Sequence, residues 1–178
     1  MRTTTIATIL IAACLPIAAC NTNEVAGKNT TAGAPAPSTT TASAPARTAL
    51  DATATFNEIA KAVPTTKLTQ TVTAENDENH LLGRPGQYTS KIAFSDSRIK
   101  GDDAAMFKTG DIELGGSIEV FPDAASAKAR ATYIQTVTKG VPALAEYDYP
   151  VGAVVVRVSR YLTPTQAGEY ETAAKKLG

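Results

Sequence analysis

Apolar positions are unevenly distributed along the chain, and their spacing predicts regular structure only after residue 50. An apolar run from Ile6 to Ala19 comes first, and a polar segment rich in Ala, Thr and Pro follows it. From Asp51 onward, apolar residues either recur at helical spacing or alternate with polar ones, as in strands. The pattern predicts a leader over residues 1–19, a tether over residues 20–50 and a single folded domain over residues 51–178.

Three segments of the domain have the pattern of amphipathic helices. The first begins after Asp51, a favourable N-cap residue, and ends before Pro64. The second follows Pro122-Asp123 and ends at Gly140. Its predicted inward stripe is Ala127, Ala131, Ile134 and Val137. The third begins at Thr163-Pro164-Thr165-Gln166, which is the sequence of a capping box with proline in the first turn.

Four segments of the domain have the composition of strands. They are Lys67–Thr73, Ser90–Ser95, Asp111–Phe121 and Ala153–Tyr161. Gly115 and Gly116 indicate a bulge or a close approach of two backbones within the third segment. Valines on both faces of the fourth predict a central strand. The element order α-β-β-β-α-β-α predicts an α+β fold in which helices pack on one face of a mostly antiparallel sheet of about four strands.

The composition excludes several classes of site. The chain has 178 residues, 17 Lys+Arg, 17 Asp+Glu, two Cys and one His. Because both cysteines, Cys14 and Cys20, precede the domain, it has no thiolate metal site and no cysteine nucleophile. The single His80 excludes a multi-histidine metal cluster, and the balanced charge without a basic run argues against nucleic-acid binding. No nucleotide fingerprint follows a predicted strand, and no cofactor is expected.

The apolar run at the N-terminus has the features of a secretory signal. As a helix, its 14 residues would rise only about 21 Å, which is less than the roughly 30 Å of a bilayer core. The run ends in Ile17-Ala18-Ala19-Cys20, which resembles the lipobox of bacterial lipoproteins, where the cysteine receives a diacylglycerol. A second copy ends at Cys14, but it would leave an apolar core of only about eight residues.

We therefore expect the mature protein to begin at Cys20. The chain becomes polar directly after this residue, as a cleavage boundary requires. Two acyl chains on one cysteine are enough for stable anchoring, so the protein is expected on the outer face of the bacterial cytoplasmic membrane. A plain secreted protein is the alternative. Residues 21–48 contain seven Ala, seven Thr and three Pro, which predicts a disordered tether with a reach of roughly 30 Å.

The segment from Glu75 to Lys91 carries the residues of greatest chemical interest. Arg84-Pro85-Gly86-Gln87 predicts a type II turn. His80 could act in a hydrolase with Ser90 or Ser95 as the nucleophile, although the chain has no GxSxG motif. The nearby acidic residues do not match a calcium loop, since His80 or Leu81 would occupy positions that the pattern reserves for glycine or a ligand.

Four blocks of the domain carry a resemblance to a known group. They are Asn79–Lys91 (NHLLGRPGQYTSK), Gly115–Phe121, Arg157–Ser159 and Leu162–Ala167 with Tyr170. In these blocks the chain resembles small lipoproteins of actinobacteria, a group without an established activity. The resemblance implies the lipoprotein location and the single domain, and it implies that the loop from Asn79 to Lys91 does more than link two strands.

These features predict a non-enzymatic binding module for another component of the cell envelope, either a protein or a glycan. Arginine and tyrosine dominate the energetics of many interfaces, and a tethered module acts at a high local concentration. The candidate binding residues are Asn79, His80, Arg84, Tyr88 and Lys91. A small hydrolase that uses His80 and a carrier of a small apolar ligand are the alternatives.

The predicted anchor can be tested by metabolic labelling. We expect an alkyne fatty acid to label the wild-type chain and not Cys20→Ala, because the substitution removes the acceptor sulfur. In-gel fluorescence after coupling to an azide dye measures the label. Equal labelling of both chains would contradict the assignment of Cys20.

Overall fold

The computed structural model describes residues 51–177, which form an α+β fold, as predicted. Their sheet is antiparallel, with five strands in the order β1-β2-β3-β5-β4. The strands are β1 (Thr66–Thr71), β2 (Ser90–Asp96), β3 (Gly115–Val120), β4 (Glu146–Val151) and β5 (Val154–Ser159). The helices are α1 (Ala52–Ala62), α2 (Asp102–Ala105), α3 (Ala124–Thr138) and α4 (Pro164–Lys175).

The predicted leader, the lipidated Cys20 and the tether lie outside the described residues. Across residues 51–177, every helix is too short or too polar to cross a membrane.

Local sequence determines where the three longer helices begin. The Asp51 side chain accepts a hydrogen bond from the N–H of Thr53 at the start of α1, and the Asp123 side chain accepts one from Ser126 at the start of α3. At α4, the Thr163 side chain and the Gln166 side chain make both hydrogen bonds of the predicted capping box. All three predicted starts are confirmed.

The sheet has five strands where about four were predicted, and β4 is the additional one. Its sequence, EYDYPV, alternates poorly and contains Pro150, which normally argues against a strand because proline has no N–H to donate. The strand lies at the edge of the sheet and pairs only with β5, so an unused donor position is tolerated there. A tight turn with Gly152 at φ 55° joins the two strands.

Helices cover both faces of the sheet, whereas one covered face was predicted. Alternate residues of β5 divide between the two sides, as successive side chains of a strand must. Val154, Val156 and Val158 belong to the core beneath α1 and α4. Val155 belongs to a second cluster, with Tyr88, Phe121 and the α3 residues Ala127 and Ala131. The valine-rich sequence of β5 results from this burial on both sides.

The inward stripe of α3 differs from the prediction at its last member. Ala127, Ala131 and Ile134 are buried, but Val137 is 47% exposed. A stripe that advances by alternate steps of four and three residues reaches Thr138 next, and Thr138 is half-buried.

The third predicted strand is shorter than expected, because Ile112–Leu114 form a 3-10 turn before β3 begins. The predicted close approach at its glycines is confirmed. A Cβ on Gly115 would lie 2.5 Å from the carbonyl oxygen of Phe94 in the neighbouring strand, and one on Gly116 would overlap the carbonyl oxygen of Arg157. Only glycine allows β2, β3 and β5 to approach this closely.

We expect Gly115→Ala to lower the free energy of unfolding by about 1–3 kcal/mol or more, because the added methyl group overlaps backbone atoms that cannot rotate away. Gly140→Ala is the matched control, since nothing lies within 4 Å of its added Cβ, and we expect a change within about 0.5 kcal/mol. Urea unfolding followed by circular dichroism measures both. Equal stability of the two variants would contradict the close approach.

Candidate functional site

One buried carboxylate folds the loop of residues 72–89 back onto the protein. Asp77 Oδ2 accepts hydrogen bonds from the backbone N–H groups of Leu81 and Leu82, both at 2.8 Å. Asp77 Oδ1 accepts a 2.6 Å hydrogen bond from the hydroxyl group of Tyr88. Asp77 is only 4% exposed and Tyr88 is fully buried. The loop is therefore pinned at its centre.

The charge state of this pair follows from the same contacts. Burial by itself would raise the pKa of Asp77, but the hydrogen bonds from the Tyr88 hydroxyl and from the backbone outweigh it and hold the pKa below the ordinary value. Burial and the neighbouring carboxylate both raise the pKa of Tyr88. At neutral pH, an ionised Asp77 thus accepts a hydrogen bond from the hydroxyl group of a neutral Tyr88.

Tyr88 was expected to contact a partner, and this expectation requires correction. Its ring is buried in the second cluster, where it makes an edge-to-face contact with Phe121 at 6.2 Å between centroids. Lys91 Nζ lies 5.0 Å from the centroid of the Tyr88 ring, a cation–π contact. Tyr88 therefore supports the loop from inside. The sequence could not reveal this, because a turn-rich segment lacks the regular alternation from which buried positions are predicted.

Three of the other predicted residues lie at the surface of the loop. Asn79, His80 and Arg84 are exposed. His80 has a φ of 52°, in the left-handed region, and its backbone N–H donates to the carbonyl oxygen of Asp77 at 2.9 Å. The predicted turn is present after it, with Gly86 at φ 71° and a 3.0 Å hydrogen bond from the N–H of Gln87 to the carbonyl oxygen of Arg84.

Lys91 differs from these residues because it belongs to a buried ion cluster. The carboxylate of Glu119 is completely buried, and three cations lie around it: Lys91 at 3.1 Å, Arg130 at 3.0 Å and Arg157 at 3.0 Å. Burial would raise the pKa of Glu119, but the three cations outweigh it and lower the pKa to about 2. Sequence reasoning missed Glu119, because an acidic residue on a strand normally indicates a solvent-exposed face.

A second pair of carboxylates extends this cluster along β4. Arg157 donates to Glu146 at 2.8 Å, and its Nε lies 3.9 Å from Asp148 Oδ1. The carboxylate oxygens of Asp148 are buried and have no hydrogen-bond partner among the described residues. Burial, together with the charge of Glu146, raises the pKa of Asp148 to about 7. Asp148 is thus the weakest acid of the cluster.

The cluster forms part of a cavity of about 490 Å³, here called the polar cleft. Residues 76–79 of the loop line one part of it, and residues 109–113 line another. Lys91, Ala93, Arg130 and Arg157 also line the polar cleft. Because Lys91 and both arginines already contact Glu119, the cleft presents cations that are largely neutralised.

A second cavity of about 480 Å³, here called the loop groove, lies where the loop meets α3. It is lined by Asn79, Leu81, Gln87, Ser126, Arg130 and Tyr133, among others. Asn79 and Arg130 line both cavities. Of the predicted residues, Asn79 lines both cavities and Lys91 lines the polar cleft, whereas His80, Arg84 and Tyr88 line neither. The α3 residues that complete the cavities had no signature in the sequence.

The hydroxyl group of one predicted nucleophile, Ser90, is used at the start of α1. The Ser90 hydroxyl, a predicted nucleophile, donates to Asp51 Oδ1 at 2.9 Å and accepts from the N–H of Ala52 at 3.1 Å. It therefore stabilises the start of α1. Within residues 51–177, no three His, Cys, Asp or Glu side chains are grouped so that they could hold a metal ion.

We expect Asp77→Asn to lower the free energy of unfolding by about 1.5–3 kcal/mol at pH 7, the usual value for hydrogen bonds to a charged group. Because the pKa of Asp77 is lowered by folding, its contribution is complete above the unfolded pKa of about 3.9 and is lost as the pH falls through the folded value. The difference between wild type and variant should therefore narrow at pH 3.

Urea unfolding at pH 7 and pH 3 measures this difference. Glu78→Gln is the matched control, because Glu78 is an exposed neighbour on the same loop, and it should match the wild type at pH 7. A difference for Asp77→Asn that is the same at both pH values would contradict the role of the ionised carboxylate.

In comparisons with protein-family models, with curated proteins and with solved structures, the chain has no significant match.

Proposed function

We propose that the protein is a lipoprotein, anchored through Cys20 to the outer face of the bacterial cytoplasmic membrane, that binds another component of the envelope. The leader and the sequence Ile17-Ala18-Ala19-Cys20 support the anchor. The binding surface in this proposal is the loop face, which comprises the exposed residues Asn79, His80 and Arg84 together with the two cavities beside them.

The observation that carries the proposal is the pinning of the loop by Asp77. Four hydrogen bonds to one buried carboxylate fix the backbone that presents Asn79 and His80. A surface that is already ordered does not lose conformational entropy when it binds, so more of the contact energy appears as affinity. Natural loops of this length are often mobile unless function requires their order.

The strained backbone at His80 supports the same interpretation. A left-handed conformation is uncommon for a residue other than glycine, although histidine is among the more tolerant types. The hydrogen bond from its N–H to the carbonyl oxygen of Asp77 and those of the neighbouring residues hold this conformation, and His80 is exposed at the surface. Such strain occurs often at sites that bind ligands.

The charges around the cavities favour a polar partner without a high charge. Lys91, Arg130 and Arg157 have Glu119 and Glu146 as counterions. The polar cleft is also lined by acidic side chains, namely Asp77, Glu78, Asp111 and Glu113. These carboxylates would repel a highly anionic ligand. Lys91, Arg130 and Arg157 would repel a highly cationic one.

The proposed lipid anchor and tether would favour binding by keeping the domain near its partner. The predicted tether, with an expected reach of roughly 30 Å, would keep the domain close to the membrane surface. Binding to a component of the same surface then occurs at a high effective concentration, so a modest intrinsic affinity is sufficient.

We expect His80→Asn/Arg84→Ala to reduce capture of the envelope component at least about tenfold, since both side chains are exposed on the loop face and asparagine tolerates the backbone of His80. The experiment uses the tagged full-length chain, crosslinked in intact cells, purified and assayed for bound protein and glycan.

Lys175→Ala is the matched control. It removes an exposed cation from α4, on the other side of the sheet, where Lys175 pairs with Glu171. Its captured material should equal that of the wild type. If all three chains capture the same material in the same amount, the loop face is not the binding surface.

A further inference from the structure

We propose that the loop groove is a saccharide-binding site in which Tyr133 is the stacking platform. Resting on the binding function proposed above, this assignment names the class of ligand and adds a residue from α3. The volume of the groove, about 480 Å³, lies within the range of sites for small molecules. Its lining combines an exposed aromatic ring with amide, hydroxyl and guanidinium groups.

Tyr133 is exposed to an extent that the fold does not require. The ring is 62% exposed, although aromatic side chains on helices usually bury most of their surface. The buried side of α3 consists of Ala127, Ala131 and Ile134, so Tyr133 takes no part in that packing. An exposed tyrosine beside a concave surface offers a flat apolar face to a ligand.

The ring of Tyr133 is also held in position. The guanidinium carbon of Arg130 lies 6.0 Å from the ring centroid, a cation–π contact. Arg130 is itself fixed, because its Nε donates to the buried carboxylate of Glu119 at 3.0 Å. Tyr133 thus contacts an arginine that belongs to the buried ion cluster around Glu119.

The opposite wall of the groove carries the polar groups. Asn79 is fixed by the hydrogen bond from its N–H to Asp77 Oδ1 at 3.3 Å, and Gln87 by the hydrogen bond that closes the turn. On α3, the N–H of Ser126 is used in the helix cap. These hydrogen bonds use backbone atoms. The Gln87 amide and the Ser126 hydroxyl group can therefore donate to and accept from a ligand, while the Asn79 amide also lies within hydrogen-bonding reach of Tyr88.

This combination matches the surface of a pyranose ring. One face of a sugar carries C–H groups with partial positive charge, which are attracted to the negative face of an aromatic ring. The edge carries hydroxyl groups, each of which donates and accepts hydrogen bonds, as the amides of Asn79 and Gln87 also do. A purely apolar ligand would leave these amides unpaired, and a phosphate would find Arg130 already engaged by Glu119.

A protein partner would use a different surface. Exposed apolar side chains continue from Tyr133 past the groove, namely Val137, Val141 and Leu144. A docked protein would bury this whole stripe, whereas a saccharide in the loop groove would contact Tyr133 and leave Val137 free. A substitution of Val137 therefore distinguishes the two partners: it should weaken binding of a protein and leave binding of a saccharide unchanged.

Isothermal titration of the full-length protein with chitotetraose, mannotetraose and tetragalacturonate tests the assignment. The detergent must have no sugar headgroup, since such a headgroup would compete for the site. We expect chitotetraose or mannotetraose, which are neutral, to bind more tightly than the anionic tetragalacturonate, and Tyr133→Ala to weaken that binding at least about tenfold. Tyr133→Phe should stay within about threefold of the wild type, because the stacking ring is kept.

Val137→Ala is the matched control on the next turn of α3 and should bind like the wild type. The assignment is overturned if none of the three oligosaccharides binds, if Tyr133→Ala binds as well as the wild type, or if Val137→Ala loses as much affinity as Tyr133→Ala. If capture in cells still depends on His80 and Arg84 after such a result, the proposed binding function stands and only the saccharide assignment fails.

Discussion

The buried carboxylate of Glu119 is the interaction on which the functional face depends. An ionised carboxylate inside a protein is tolerated only when cations and hydrogen bonds replace its water, and removing one partner typically costs about 3–5 kcal/mol. Lys91 of β2, Arg157 of β5 and Arg130 of α3 supply that replacement. The ion pair between Arg130 and Glu119 fixes α3 over the sheet. It also holds the guanidinium of Arg130 between the polar cleft and the loop groove.

Two aspartate–tyrosine pairs apply the same physical principle on opposite faces of the sheet. Asp77 and Tyr88 pin the loop above the second cluster, with 2.6 Å between their oxygens. Asp96 accepts an equally short hydrogen bond from Tyr170 and so connects β2 to α4. Burial would raise the pKa of Asp96, but Arg98 and Tyr170 outweigh it and lower the pKa. In each pair an ionised acceptor positions a segment that apolar contacts alone would hold less precisely.

The sequence predicted the parts of this fold that depend on short-range interactions. The caps at Asp51, Asp123 and Thr163 are contacts between residues two or three positions apart, so the pattern of side chains contains them. The turn at Arg84–Gln87 follows from the conformations of proline and glycine. It could not predict β4, because a polar edge strand with a proline differs little from a loop. The valines on both sides of β5 did indicate a second covered face, but the side of the sheet on which each helix packs depends on contacts between residues far apart in the sequence.

By itself, then, the amino-acid sequence determined the α+β class, the helix starts, the turn, the close approach of Gly115 and Gly116, and the expectation of a lipid anchor at Cys20. The tertiary structure alone decided which polar residues are buried and which are available for binding. Glu119 lies 38 positions from Arg157, and Asp77 lies 11 from Tyr88. Desolvation and charge pairing act between residues that only the folded chain brings together, so Tyr88 and Lys91 are internal supports while Tyr133 is exposed beside the loop.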